Sequence, residues 1–524
     1  MRRAILALIL FVLAGAAPAG AAAPALGSVH FANSGAAAAQ APFLRGLALL
    51  HNFEYGDAAL AFREAQKADP QFAMAYWGEA MTYNHAVWME QDATAARAAL
   101  QRLAPTPQAR AALARTPREA GWLHAVETLY GEGTKAERDF RYSDEMAELH
   151  RRFPDDIDAT AFYALSLLGT AHQGRDFAIY MRAAAILEEV FPDHKDHPGV
   201  LHYLIHSYDD PVHAPLGMRA ARLYGALAPN AGHALHMTSH IFVAMGQWDE
   251  VIAANQQAMR VVQAREAGSG KPVPGCGHYP EWLVYANLQE GRLAEADRWI
   301  GLCRVEALGQ LPAGAVQPAL DPRRSFVTSY AEMLARRAVD TGRWQGDDSL
   351  PIAPGAHLNA RFNLVYGEAL GSAGNASRLA ALADQMQQVR AALAAARVAR
   401  GPGAGADVWE EVMAGQVLAL GEMAAGKSAD AVARLRRLSD QESAAPIEFG
   451  PPAAYKPSAE LLGDQLLAMG HPAEALEAYK TALSRTPGRS RSLQGQLKAQ
   501  RALGDAAGAA VTEAALGRYP RPAA

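Results

Sequence analysis

Apolar and small residues recur at spacings of three and four along nearly the whole chain, while period-two alternation is almost absent. The pattern therefore predicts helices and hardly any strands. Glycine punctuates it. Gly246-Gln-Trp-Asp-Glu, Gly291-Arg-Leu-Ala-Glu-Ala, Gly342-Arg-Trp and Gly426-Lys-Ser-Ala-Asp-Ala each separate two helical runs, at turns where left-handed backbone costs glycine little. The result reads as helix-turn-helix units in series. Four Gly/Pro-rich interruptions, at 268–277, 311–322, 401–405 and 445–457, read as loops between units, placed to insert into or cover a groove.

The units have a period. The segments starting at Gly470 and Gly504 lie 34 residues apart, and Gly46, Ala58, Phe62, Ala65 and Pro70 fall on positions 8, 20, 24, 27 and 32 of a 34-residue helix pair. Tyr76, Ala80 and Tyr83 supply positions 4, 8 and 11 of the next unit. Small residues at 8 and 20 let two antiparallel helices approach, aromatics fill the seam, and proline ends the second helix. On these residues the chain resembles the tetratricopeptide-repeat (TPR) superfamily. The expected fold is an all-α, right-handed α-solenoid of stacked antiparallel helix pairs. It is divided as a cleaved signal peptide at 1–25, a histidine-bearing solenoid at 26–265 and a second solenoid at 266–524 continuing the stack.

Composition narrows the function. With 49 Lys+Arg against 54 Asp+Glu the net charge is −5, so the chain lacks the basic field of a sequence-independent nucleic-acid binder. Two cysteines cannot build a disulfide scaffold or an all-cysteine zinc site. Arg2 and Arg3, the apolar run Ala4 to Ala14 and the small residues Gly15 to Ala25 read as a secretory leader, too short to span a bilayer. The mature chain is expected to be periplasmic or secreted, without a membrane span.

Nine of the 17 histidines lie between His172 and His240. His202/His206 and His236/His240 are i, i+4 pairs, with His233 three residues before His236, so each segment presents a histidine stripe on one helical face. The two pairs are separated by one period of 34. In the TPR register His233, His236 and His240 take positions 2, 5 and 9, which the resemblance implies line the concave groove. Imidazoles from adjacent first helices are expected to converge on one ion, with His172 and Asp209 as further candidate ligands. Imidazole suits zinc, copper, iron or nickel. A polar groove of histidines without metal is the plainer alternative. The stretch also resembles exported bacterial TPR proteins carrying His-Tyr-Leu-Ile-His and His-Met-x-Ser-His-Ile signatures, which read here as His202 to His206 and His236 to Ile241. The register puts Trp77 and His85 on groove-lining positions, with Trp88 and Glu90 nearby; core packing is the plainer fate of the tryptophans.

Gly421-Glu-Met-Ala-Ala-Gly-Lys-Ser428 matches a phosphate-loop pattern, but no strand is expected before it, so Gly426 reads as a turn glycine. Cys276 precedes one helix and Cys303 ends its antiparallel partner, which brings the two thiols near enough to bridge; two free thiols are the alternative. Three functions follow. The first is an exported binding scaffold whose groove takes a peptide or protein and holds a metal. The second is a metal-dependent hydrolytic or oxidative enzyme acting on a small substrate, and the third is periplasmic metal capture or delivery. The sequence leaves open whether the protein is an enzyme.

Overall fold

The computed structural model describes residues 25–267, 274–322, 325–400 and 407–517. All but Ala25 of the expected leader, and the expected loop at 401–405, lie outside the described residues. Within them the chain forms 24 α-helices and one two-stranded hairpin, Asn84–His85 with Glu90–Gln91. This is the all-α solenoid expected, with nearly every helix packed against its successor along the chain. The phosphate-loop match falls on the helix Val408–Ala424 and the turn at Gly426, and among the described residues no strand leads into it.

The seam works as the repeat pattern requires. Phe62 is fully buried between Gly46 and Gly78; a Cβ on Gly46 would come within 2.9 Å of Phe62 Cδ1, and one on Gly78 within 2.3 Å of its Cε1. Fully burying such a ring stabilises by about 2–3 kcal/mol, which a methyl group in either place would erode. The turn glycine Gly246 is required twice over. Its φ is 65°, and a Cβ would lie 2.7 Å from the carbonyl oxygen of Pro487.

That close approach shows how the stack closes on itself. The Trp248 indole donates to the Gly488 carbonyl at 3.1 Å, and the Ser490 N–H donates to Gln289 Oε1 at 3.0 Å. Arg489 is fully buried and donates to Glu460 Oε2 at 2.7 Å and Asp340 Oδ1 at 2.8 Å, so its charge is paired from two directions. One apolar core runs from Leu26 to Leu334 and adjoins a second from Leu320 to Ala499. The loop at 445–457 crosses back to the middle of the chain, where Arg336 donates to the Pro452 carbonyl at 3.1 Å and Gly450 lies against Trp282.

At the other end, the helix Ala37–His51 packs its C-terminal turn on the helix Pro198–Tyr208. Gly199 makes room for it: a Cβ there would stand 2.3 Å from His51 Nδ1.

A six-histidine candidate metal centre

Three consecutive first helices, Pro198–Tyr208, Gly232–Ala244 and His278–Gln289, carry the candidate site. His197 caps the first, its side chain accepting from the Val200 N–H, with Pro198 at the following position. Arg175 closes the other end by donating to the Ser207 carbonyl at 2.8 Å, a cation at the negative pole of the helix. Glu54 accepts from the His233 N–H at 3.1 Å and so places a carboxylate at the positive pole of the second. The third begins beside Cys276, which is disulfide-bonded to Cys303 with the Cα atoms 4.4 Å apart. The bridge left open by the sequence is formed, and it anchors the residue two before His278.

These helices gather six imidazoles into two neighbouring sets. His202, His206 and His233 form one; His236, His240 and His278 form the other, and within each the ligand-capable atoms lie within 4.8 Å of one another. The two i, i+4 pairs therefore do not share one set. Each pair is completed by a histidine near the start of the next first helix, His233 for one and His278 for the other. The sets touch: the His206 and His240 rings, and the His233 and His236 rings, are each 6.1 Å apart between centroids. His202, His206, His236 and His240 are buried, His233 is half-buried, and His278 is exposed at the rim.

Hydrogen bonds behind the rings decide which nitrogen faces inward. His202 Nδ1 donates to the His51 carbonyl at 2.6 Å. His236 Nδ1 donates to Asn255 Oδ1 at 2.7 Å, and the Asn255 amide is oriented by its own donation to the Val251 carbonyl at 2.8 Å. His240 Nδ1 donates to Asp209 Oδ2 at 2.5 Å. With the hydrogen on Nδ1, Nε2 of a neutral ring is a bare lone pair, the tautomer that outer partners impose on metal-binding histidines. The Nε2 atoms of His202, His206 and His233 are buried with no hydrogen-bond partner. Those of His236 and His240 face each other at 3.0 Å. Two lone pairs at that separation need a cation between them. Two nitrogens each about 2.0–2.1 Å from one ion stand roughly 3 Å apart, so a metal fits there as a proton would. Burial, reinforced by the neighbouring imidazoles, pushes His202, His206, His233 and His236 well below the ordinary histidine range, so these rings stay neutral.

Aromatic walls surround the sets. Phe53 packs on His202, His206 and His233 at 4.3, 5.7 and 5.5 Å, and its φ of 54° is a strained conformation for a bulky residue. Trp88 stands 5.8 Å from His233, next to Met89 with φ 53°. Trp282 and Phe449 cover His240 at 4.5 and 5.5 Å.

A third group, His51, Asp158 and His197, is of another kind. Both nitrogens of His51 are engaged, Nδ1 with the Tyr203 hydroxyl at 3.0 Å and Nε2 with Asp158 Oδ1 at 2.9 Å. His197 Nε2 meets the same carboxylate oxygen at 3.3 Å. Burial outweighs the Asp158 hydrogen bond and lowers His51 to about 4. Although burial opposes it, hydrogen bonds from His197 and His51 hold Asp158 below its usual range. This network is satisfied internally, and it fixes the residue whose carbonyl orients His202.

Other sequence-derived candidates are placed elsewhere. Asp209 stands behind His240 rather than among the inward-facing atoms. His172 lies outside both sets, 3.3 Å from Asp139 Oδ2 and against Phe140. Trp77 is fully buried in a core cluster with Phe31, Trp122 and Phe162 and does not line the groove, the plainer fate the sequence allowed it. His85 stacks on Tyr55 at 4.1 Å, beside Trp88. Sequence reasoning missed His278, Asn255 and Phe53. His278 escaped because the Gly/Pro-rich stretch 268–277 breaks the 34-residue count; Asn255 and Phe53 carry no metal-ligand signature.

No protein-family model and no curated protein matches the chain. Among solved structures it is similar to the TPR domain of P58(IPK), at 12% identity and TM-score 0.23 over 89% of this chain and 98% of that one. It is also similar to yeast Tom70, at 12% identity and TM-score 0.33 over 89% and 96%. A third match is the structure of Naa15/Naa10 bound to HypK-THB, at 10% identity and TM-score 0.23 over 92% and 89%. At such scores the likenesses carry no argument about function, and the site rests on this chain's own residues.

Proposed function

We propose that the protein is an exported metalloprotein whose groove-facing helices hold two transition-metal ions, one on each set of three imidazoles. The carrying observation is that outer hydrogen bonds commit Nδ1 of His202, His236 and His240 away from the cluster, which leaves their Nε2 lone pairs turned inward among the other imidazoles. Burying the unpartnered Nε2 atoms of His202, His206 and His233 costs about 1–3 kcal/mol each, a cost that coordination removes. Three protein donors per ion leave a position for a small ligand, the arrangement of a reactive centre more than of a closed structural one. Export is supported by the leader-like residues 1–25 and by the Cys276–Cys303 bridge, which belongs in an oxidising compartment. Among the described residues no helix is long and apolar enough to cross a membrane.

Elemental analysis of the purified chain, expressed in metal-supplemented medium, tests this reading. Two ions per chain are expected, and a His202→Ala/His236→Ala double variant is expected to lose both. A native chain without stoichiometric metal would overturn it.

A second reading, capture of a peptide or other anionic ligand, is favoured by a separate cavity of about 590 Å³ lined by Gln289, Arg337, Arg343, Ser490, Arg491 and Gln494. That volume is within the range of small-ligand pockets. An Arg343→Ala/Arg491→Ala variant that binds a panel of carboxylate-terminated peptides as well as the native chain does would remove this reading.

A further inference from the structure

Resting on the two-ion reading, we infer that the six-histidine cluster is a dinuclear copper centre whose substrate is dioxygen. Charge favours copper. Each set offers three imidazoles and no carboxylate, and the Asp209 carboxylate is spent on His240 Nδ1. Two zinc ions would bring four positive charges among buried aromatic walls, whereas two cuprous ions bring two. Desolvating the higher charge is much the more costly. Affinity points the same way for the oxidised ions, since cupric copper stands at the top of the divalent order. Three protein donors per ion suit a cuprous ion and a catalytic zinc alike, so charge rather than coordination number separates the two metals.

The two sets adjoin through the His206/His240 and His233/His236 ring pairs, so ions on them are near neighbours able to act on one small molecule. Three protein donors leave each ion an open position, and two adjacent cuprous ions together hold the two electrons that one dioxygen molecule takes up. The exposed His278 marks the side from which it enters.

The step balances without a further reagent. Each cuprous ion gives one electron, both become cupric, and the dioxygen molecule takes the two electrons to become bound peroxide. The O–O bond order falls from two to one; no proton moves and no group leaves. Returning the two electrons releases dioxygen.

The test uses the full chain loaded anaerobically with two equivalents of cuprous ion and then exposed to dioxygen. One dioxygen is expected to be taken up per two coppers, with a new near-ultraviolet absorption from peroxide bound to cupric ions. The oxidised protein is expected to be silent in electron paramagnetic resonance, because adjacent cupric spins couple. A His278→Ala variant, altered at an exposed rim position, is expected to keep one copper, to lose the absorption and to show a single cupric signal. Copper bound at two per chain with no dioxygen uptake, or oxidised to two full uncoupled cupric signals, would overturn the inference while leaving the two-ion reading in place. Failure to bind two equivalents of any metal would overturn both.

Discussion

A few side chains outside the six histidines decide what those histidines can do. Asp209 and Asn255 hold His240 and His236 in the tautomer that aims Nε2 inward, and losing such an outer partner typically costs 10–100-fold in metal affinity. Asp209→Asn is therefore expected to weaken one of the two ions by about that factor, while Asp210→Asn, whose carboxylate pairs with Arg175 and His213, is expected to leave affinity within about twofold. Competition titration against a chelator measures both, and equal affinities for the native chain and Asp209→Asn would contradict the assignment. Gly199 is a second such residue. Gly199→Ala puts a methyl group on the His51 imidazole, and overpacking of this kind costs about 1–3 kcal/mol, readable as a lower denaturation midpoint. Burial also sets a pH dependence. Unfolded imidazoles take up protons near pH 6.5, whereas His202, His206, His233 and His236 refuse them until well below that. The metal-free protein is thus expected to lose stability as pH falls from about 7.5 to about 5.5, because the unfolded state then binds more protons than the folded one. A melting temperature that is flat or rises over that interval would contradict the neutral, buried placement of these rings.

At the scale of elements, the site is a duplicated device: an i, i+4 pair on one first helix, completed by a histidine near the start of the next. Helical periodicity made the pairs legible, since spacing alone puts His202 with His206 and His236 with His240 on one face. A strict step of 34, however, brings the two pairs together and leaves no place for His278. The Gly/Pro-rich stretch 268–277 adds residues between the second and third first helices, and no local rule says how far it displaces the next helix. The Cys276–Cys303 bridge pins that helix at its start. Its 27-residue separation corresponds to about 3–4 kcal/mol of chain entropy. Reduction of the bridge is expected to lower the melting temperature and to release the ion on His236, His240 and His278 before the other. Release of both ions together, or of neither, would show that the bridge does not position His278.

At the scale of the molecule, closure of the solenoid makes the cluster a site rather than an open groove. Arg489, Trp248 and Ser490 tie the C-terminal helices across to the middle of the stack, and that closure carries Phe449 onto His240. The helix-pair architecture was legible because each seam is local, with Gly46 and Gly78 facing Phe62. Contacts such as Gly246 against Pro487, or Gly199 under His51, join residues far apart in the chain, and no period announces them. Trp77 illustrates the limit: its register position faces the groove, yet aromatic packing with Trp122 and Phe162 draws it into the core. Everything proposed for the cluster requires two ions in two adjoining sets. Anomalous diffraction from crystals of the metal-loaded protein, collected at the absorption edge of the bound metal, tests this most directly. Two neighbouring peaks are predicted, one against Nε2 of His202, His206 and His233 and one among His236, His240 and His278. A single peak shared between His202/His206 and His236/His240, or no peak in the cluster, would contradict it.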